Sequence, residues 1–162
     1  MGYHTEFWGR FDLDCPLVHE TYRLLKGLSE TRRMKRSVEG YGIDGEFFIP
    51  VPDGNFGQTH DENIVDYNAP PATQPGLWCQ WIPTEDRLHI EWDGGEKFYE
   101  YVPWIRYLLN RILLPRGYKL TGSVEWQGEE TDDKGIIVAE GNRILSAFAQ
   151  PTTYQELKEE VD

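Results

Sequence analysis

The spacing of apolar residues changes several times along the chain, and each change marks an element. Residues 3–10, Tyr-His-Thr-Glu-Phe-Trp-Gly-Arg, are dense in aromatic and β-branched side chains, and Phe11 carries the run to a turn-like Asp12-Leu13-Asp14. This predicts a first strand. Asp14-Cys15-Pro16 then reads as a helix start, because proline tolerates a first helical turn and a carboxylate favours the positive end of the dipole. Leu17, Val18, Tyr22, Leu25 and Leu28 recur at helical spacing to about Ser29.

From about 37 to 75 no period survives, since Gly, Pro, Asp and Asn interrupt it throughout. The segment still carries Phe47, Phe48, Ile49, Val51, Phe56, Ile64, Val65 and Tyr67, too apolar for a disordered linker. It is therefore expected to lie ordered against the domain, with a short strand at 47–51. The prolines of 68–75 predict extended chain, because a residue preceding proline is pushed out of the helical region.

Two strands follow, at 76–83 and 88–93, joined by Thr84-Glu85-Asp86-Arg87. Alternation sends Trp78, Gln80 and Ile82 to one side of the first and Leu77, Cys79 and Trp81 to the other. In the second, His89 and Glu91 share one face, Ile90 and Trp92 the opposite one. Phe98, Val102, Ile105 and Leu109 predict a helix over about 98–114, ended by Pro115 and Gly117, with Pro103 in its first turn or at a kink. A strand at 118–127, an acidic turn and strands at 135–139 and 143–148 come next. Pro151 opens a C-terminal helix, with Thr153 and Glu156 spaced as a capping box.

This order implies an α+β fold: an antiparallel sheet with two main helices on one face, in a ferredoxin-like split βαβ arrangement, plus an extra C-terminal hairpin and a long ordered loop. Residues 1–150 form one domain and 151–162 a short helical tail. A chain of 162 residues suits that organisation. Six Trp, nine Tyr and seven Phe must supply much of the core.

Charge narrows the functions. The net charge of −12 repels nucleic acid as a whole, so direct nucleic-acid binding is not expected. Between Arg23 and Arg36, however, Arg23, Lys26, Arg32, Arg33, Lys35 and Arg36 face only Glu30, a local +5. The run Arg32, Arg33, Lys35 and Arg36 can grip a phosphate-bearing partner through guanidinium forks, or can be a solvated stretch. No membrane span or leader pattern is present, and Cys15 and Cys79 form no metal or redox motif. The expected location is the cytoplasm.

The remaining chemistry is sparse. Glu129-Glu130-Thr131-Asp132-Asp133 gathers carboxylates but lacks the ligand alternation of a calcium loop, so an exposed hairpin turn is expected and no metal. Asp93 and Glu96 across a glycine turn read as helix caps. His89 and Glu91 offer a candidate polar face, while Cys79 reads as core. The final Glu159-Glu160-Val161-Asp162 matches the tail by which chaperones engage helical-repeat co-chaperones, a coincidence to be expected of four residues. No nucleotide-binding loop, dinucleotide fingerprint or hydrolase motif occurs, and no catalytic residue or cofactor is assigned.

Tyr67-Asn68-Ala-Pro-Pro-Ala-Thr-Gln-Pro-Gly-Leu-Trp-Cys-Gln-Trp81, Trp92-Asp-Gly-Gly-Glu-Lys-Phe-Tyr99 and Gly122-Ser-Val-Glu-Trp-Gln-Gly-Glu129 resemble segments of a family of small uncharacterised proteins of bacteria and their phages. The resemblance implies a shared fold and brings no catalytic residue. The sequence thus points to a non-enzymatic binding or regulatory protein with a protein partner, such as a phage-linked inhibitor whose carboxylates imitate phosphates. The alternative is a small enzyme or sensor holding a nucleotide-like ligand between Arg32, Arg33 and the Trp-rich segment around Trp78 and Trp81.

Overall fold

The computed structural model describes residues 2–51, 54–149 and 157–161. In chain order the elements are β1 (Thr5–Leu13), α1 (His19–Ser29), β2 (Lys35–Arg36), β3 (Ile64–Asp66), β4 (Trp81–Pro83), β5 (His89–Trp92), α2 (Tyr101–Tyr107), β6 (Leu120–Gly128), β7 (Lys134–Gly141), β8 (Ile144–Phe148) and β9 (Lys158–Glu159). The fold is α+β. Seven strands form one sheet in the order β4-β5-β1-β6-β7-β8-β9, all pairings antiparallel, and β2 with β3 makes a separate ribbon. Among the described residues no helix is long and apolar enough to cross a membrane.

Strand periodicity sets the core. In β1 the side chains of Thr5, Phe7, Phe11 and Leu13 are buried, and Phe7 pairs with Trp126 while Phe11 pairs with Ile90. These join Leu25 and Leu28 of α1 with Trp104, Ile105, Leu109 and Ile112 in one cluster. Aromatic edges do much of the packing: the Phe7 ring lies 5.4 Å from Trp81, 5.7 Å from Phe98 and 5.1 Å from Tyr101. Where β1 and β6 cross, Gly9 and Gly122 hold φ of 95° and 106°. A Cβ on Gly9 would press on the Ser123 carbonyl, so this close approach needs glycine.

Several boundaries differ from the sequence expectation. The first helix begins at His19 rather than at Pro16: Val18 is extended at the helix N-cap, with φ −68° and ψ 159°, and the Leu17 and Val18 amides bond the Arg87 carbonyl and the Tyr118 hydroxyl from across the fold. No strand forms at 47–51; a 3-10 turn at Ile43–Gly45 turns the chain back on itself instead, with the Phe47 and Phe48 amides bonded to Tyr41 and Gly45. The expected strand at 76–83 shrinks to Trp81–Pro83, since the Leu77 carbonyl accepts the Arg33 amide. The second helix starts at Tyr101 with Pro103 in its first turn, and runs on through a wide π turn at Leu108–Leu113 and a 3-10 turn at Leu114–Arg116. The capping box at Thr153 and Glu156 lies outside the described residues. Lys158–Glu159 is an edge strand and not helix: the Glu160 amide donates to Ile144 and the Ser146 hydroxyl to the Glu160 carboxylate. Where described, the long segment packs against the domain. Gly27 of α1 is the seat of Ile49 from it.

That seat makes a prediction. Alanine at position 27 gains up to about 1 kcal/mol of helix propensity, but its Cβ collides with the Ile49 side chain, and overpacking costs roughly 1–3 kcal/mol. Gly27→Ala is expected to lower stability by about 1 kcal/mol on urea titration, and adding Ile49→Ala should remove the steric part. A plain stabilisation by Gly27→Ala would show that Ile49 is not seated there.

Candidate functional site

The basic run is structural in its inner members. Arg33 is 2% exposed, and its guanidinium donates to the carbonyls of Phe48 and Glu46, each at 2.8 Å, and to the Gln74 side-chain oxygen at 3.2 Å. Burial holds its pKa down at about 10, so it is still a cation at neutral pH. Arg36, 4% exposed, donates to the Gly57 carbonyl at 2.6 Å and lies over the Phe48 ring. Both guanidiniums are thus internal and bonded to carbonyls of the chain, not displayed at the surface as the phosphate-gripping reading of the run expects. The outer members are half-buried: Arg32 donates to the Tyr67 carbonyl at 3.0 Å and covers Trp78, and Lys35 stands 3.9 Å from Asp44. The run acts as a row of staples for residues 44–77.

The centre of that fastening is a residue the sequence reading passed over. Glu46 is fully buried, and its carboxylate accepts from Tyr107 at 2.8 Å, Thr73 at 2.8 Å, Arg111 at 2.5 Å and the Ile43 amide at 3.3 Å. Burial alone would raise its pKa, but the bonds from Arg111, Tyr107 and Thr73 outweigh that and lower it. The Gln74 amide donates to both the Glu46 carbonyl and the Tyr107 hydroxyl. One sequence signal was available: Glu46 opens the apolar run Phe47-Phe48-Ile49, and a carboxylate drawn into such a cluster must be paired.

The two candidate tryptophans separate. Trp81 is 1% exposed and lies in the core, its indole N–H bonded to the Tyr101 carbonyl at 2.8 Å. Trp78 is half-buried under Phe56 and Arg32. Cys79 is core too, and burial pushes its thiol up to about 12. Asp93 bonds the Gly95 amide and closes a turn; it caps no helix. In the acidic turn Asp133 accepts from Tyr3 and Trp126, and Glu129 accepts from the His4 amide. These carboxylates fasten the N-terminal strand. Among the described residues no group of three or more His, Cys, Asp or Glu is placed to hold a metal.

His89 and Glu91 lie on the sheet face that the core does not use. The His89 Nδ1 sits 2.7 Å from the Asp12 carboxylate, with Asp86 3.7 Å from Nε2. Asp86 is itself held below the usual carboxylate range by the Thr84 hydroxyl and the Leu88 amide. The same strand parity turns Glu6, Trp8 and Arg10 of β1, Glu125 of β6 and Lys134 and Glu140 of β7 outward. Trp8 is 53% exposed and pairs across the strands with Glu125. Around Trp8 this face carries one large exposed indole among carboxylates, whereas toward β8 it turns apolar, with Ile136 and Val138 opposite the buried Ala147 and Leu145.

Two outcomes check this reading. Trp81→Ala should cost about 3–5 kcal/mol, as removal of a fully buried aromatic does, and Arg33→Ala should cost roughly 3 kcal/mol by orphaning buried acceptors. Trp78→Ala and Arg32→Ala should each cost clearly less on the same denaturant titration; equal losses would mean that all four are core. The second concerns acid. The folded Glu46 carboxyl titrates below its ordinary 4.5, so the unfolded chain takes up its proton first. The stability it contributes is whole above that value and is lost as pH falls through the depressed folded pKa. Urea midpoints measured from pH 7 downward should fall less steeply for Glu46→Gln than for the wild type; parallel curves would contradict it.

No family model matches the chain, and neither the curated proteins nor the solved structures offer a match to it.

Proposed function

We propose that the protein is a non-enzymatic binding protein that presents its acidic sheet face, centred on Trp8, to a protein whose own surface is built to hold phosphates. The observation that carries this reading is the fate of the positive charge. With Arg33 and Arg36 internal, two of the sixteen Lys and Arg are withdrawn from the surface, and Glu6, Asp12, Glu91, Glu125 and Glu140 outweigh Arg10 and Lys134 on the face opposite the core. Trp8 supplies the anchor, since buried indoles dominate binding hot spots while charges steer encounter and choose partners. Carboxylates in the place of phosphates make such a protein an inhibitor or regulator, in keeping with the resemblance to small bacterial and phage proteins. A cytoplasmic site of action suits the free thiols Cys15 and Cys79.

The framework is, in this proposal, the ferredoxin-like split arrangement extended by β7 and β8. The neighbours β4-β5-β1-β6, with α1 between β1 and β4 and α2 between β5 and β6, support it. In that arrangement the helices occupy one face and leave the other for a partner.

The test uses immobilised protein and the heparin-binding fraction of a bacterial lysate, which is enriched in phosphate-binding surfaces. Wild type should retain a protein from that fraction, salt of about 0.5 M should release it, and Trp8→Ala or the pair Glu6→Gln with Glu91→Gln should abolish retention while the melting temperature stays put. Retention that survives both variants, or that salt leaves unchanged, would sink the proposal.

A further inference from the structure

A second concavity lies away from the open face, between the chain segment 68–78 and the residues that lead into and form α2. It has two lobes. One, of about 450 Å³, is lined by Thr73, Arg106, Tyr107, Asn110 and Arg111; the other, of about 400 Å³, by Pro70, Leu77, Trp78, Lys97 and Tyr99. Both lobes reach Pro75 and Glu100, so they meet there. Each is of the size that takes a small molecule.

The seam carries two further signs of a ligand site. Beside the seam, behind Gly76, Trp104 is fully buried, yet its indole N–H has no acceptor among the described residues, and that nitrogen lies 3.6 Å from where a Gly76 side chain would begin. A buried indole N–H nearly always finds a partner. On the opposite wall Lys97 and Glu100 both hold left-handed backbone, with φ of 61° and 58°. Non-glycine residues pay for that conformation, and it collects at ligand clamps.

We propose that this cleft binds a nucleoside monophosphate or a close relative of one, at a site distinct from the acidic sheet face. The apolar lobe offers Trp78 and Tyr99 to a flat base, because every base has a π-face that stacks on an aromatic ring. The Glu100 carboxylate at the seam is placed to accept the ribose hydroxyls, the role acidic side chains take in nucleotide folds. The polar lobe offers the Arg106 and Arg111 guanidiniums, the Thr73 hydroxyl and the Asn110 amide to the phosphate. Arg111 gives one nitrogen to Glu46, and its side chain, 44% exposed, lines this lobe. The phosphate grip thus lies on the α2 side of the molecule, and the run at 32–36 only holds the facing wall in place.

Calorimetric titration of the full chain with AMP, GMP, CMP and UMP, and with adenosine and inorganic phosphate as half-ligands, tests this. At least one of the four nucleotides should bind about tenfold or more tightly than either half-ligand, as stacking and phosphate contacts act together. Tyr99→Ala should weaken that nucleotide and the nucleoside alike, whereas Arg106→Gln should weaken the nucleotide and phosphate but spare the nucleoside. Tyr99 is half exposed, so its replacement leaves a folded protein to measure even if Trp78→Ala does not. No heat with any of the four nucleotides would overturn the proposal. So would binding that both variants leave unchanged, or that Arg32→Gln alone abolishes. Trp8→Ala serves as the control, and a loss of nucleotide binding in that variant would also overturn the separation of the two sites.

Discussion

The structure depends on keeping a guanidinium inside the protein. An ion moved from water to an interior costs several kcal/mol unless its hydrogen-bonding capacity is met. Arg33 meets it with backbone, and backbone must be bent to serve. Asp44 and Gly45 take φ of 54° and 76°, and this turn aims the carbonyls of Glu46 and Phe48 at the guanidinium. The turn in its strained form is worth its cost only with Arg33 present. Glu46, carried inward by the same turn, would be an unpaired carboxylate without Tyr107, Thr73 and Arg111. One buried cation thereby fixes the long segment, and the carboxylate beside it ties that segment to α2.

A polar centre of this kind does something that an apolar one of equal size does not. Apolar contacts are non-directional and tolerate slippage, whereas the bonds of Arg33, Gln74 and Glu46 have fixed partners and angles. A segment of nearly forty residues whose described part holds one 3-10 turn and one short strand would otherwise have many packed arrangements of similar energy. The same withdrawal of cations leaves the exterior more acidic than the chain as a whole. Fold and surface charge are thus two results of one choice.

Much of this was legible in the sequence. The alternation at 118–127 and the pairing of His89 with Glu91 against Ile90 with Trp92 predict strand faces, because period two depends only on neighbouring residues. That the described part of the long segment packs against the domain was legible from its aromatic content. The role of Arg33 was not, since a run of Arg and Lys reads the same whether its acceptors are phosphates, water or carbonyls that lie more than ten residues away. The helix start differs for a similar reason: Asp14 and Pro16 are good local signals, but the Asp14 carboxylate accepts the distant Lys119 amide and Val18 stays extended with its amide on the Tyr118 hydroxyl. Of Trp78 and Trp81 only Trp81 lies in a strand, and that its face is core depended on β5, where it lies opposite Trp92.

The wall of the cleft shows what the buried centre does for recognition. Its segment is held at the Tyr67 carbonyl by Arg32, at Thr73 and Gln74 by Glu46, Tyr107 and Arg33, and at the Leu77 carbonyl by the Arg33 amide. Between these fixed points stand Pro70, Pro71 and Pro75, whose backbones have little freedom left to lose. A ligand that meets such a wall does not have to order it, so the affinity gained from stacking or from a guanidinium fork is not spent on fixing the chain. The opposite wall is one helix and its approach, tied to the first by Glu46 through Arg111. For the cleft proposed above, the basic run would therefore contribute at one remove: the enclosed Arg33, with Arg32 at its side, fixes the segment that gives the cleft its shape.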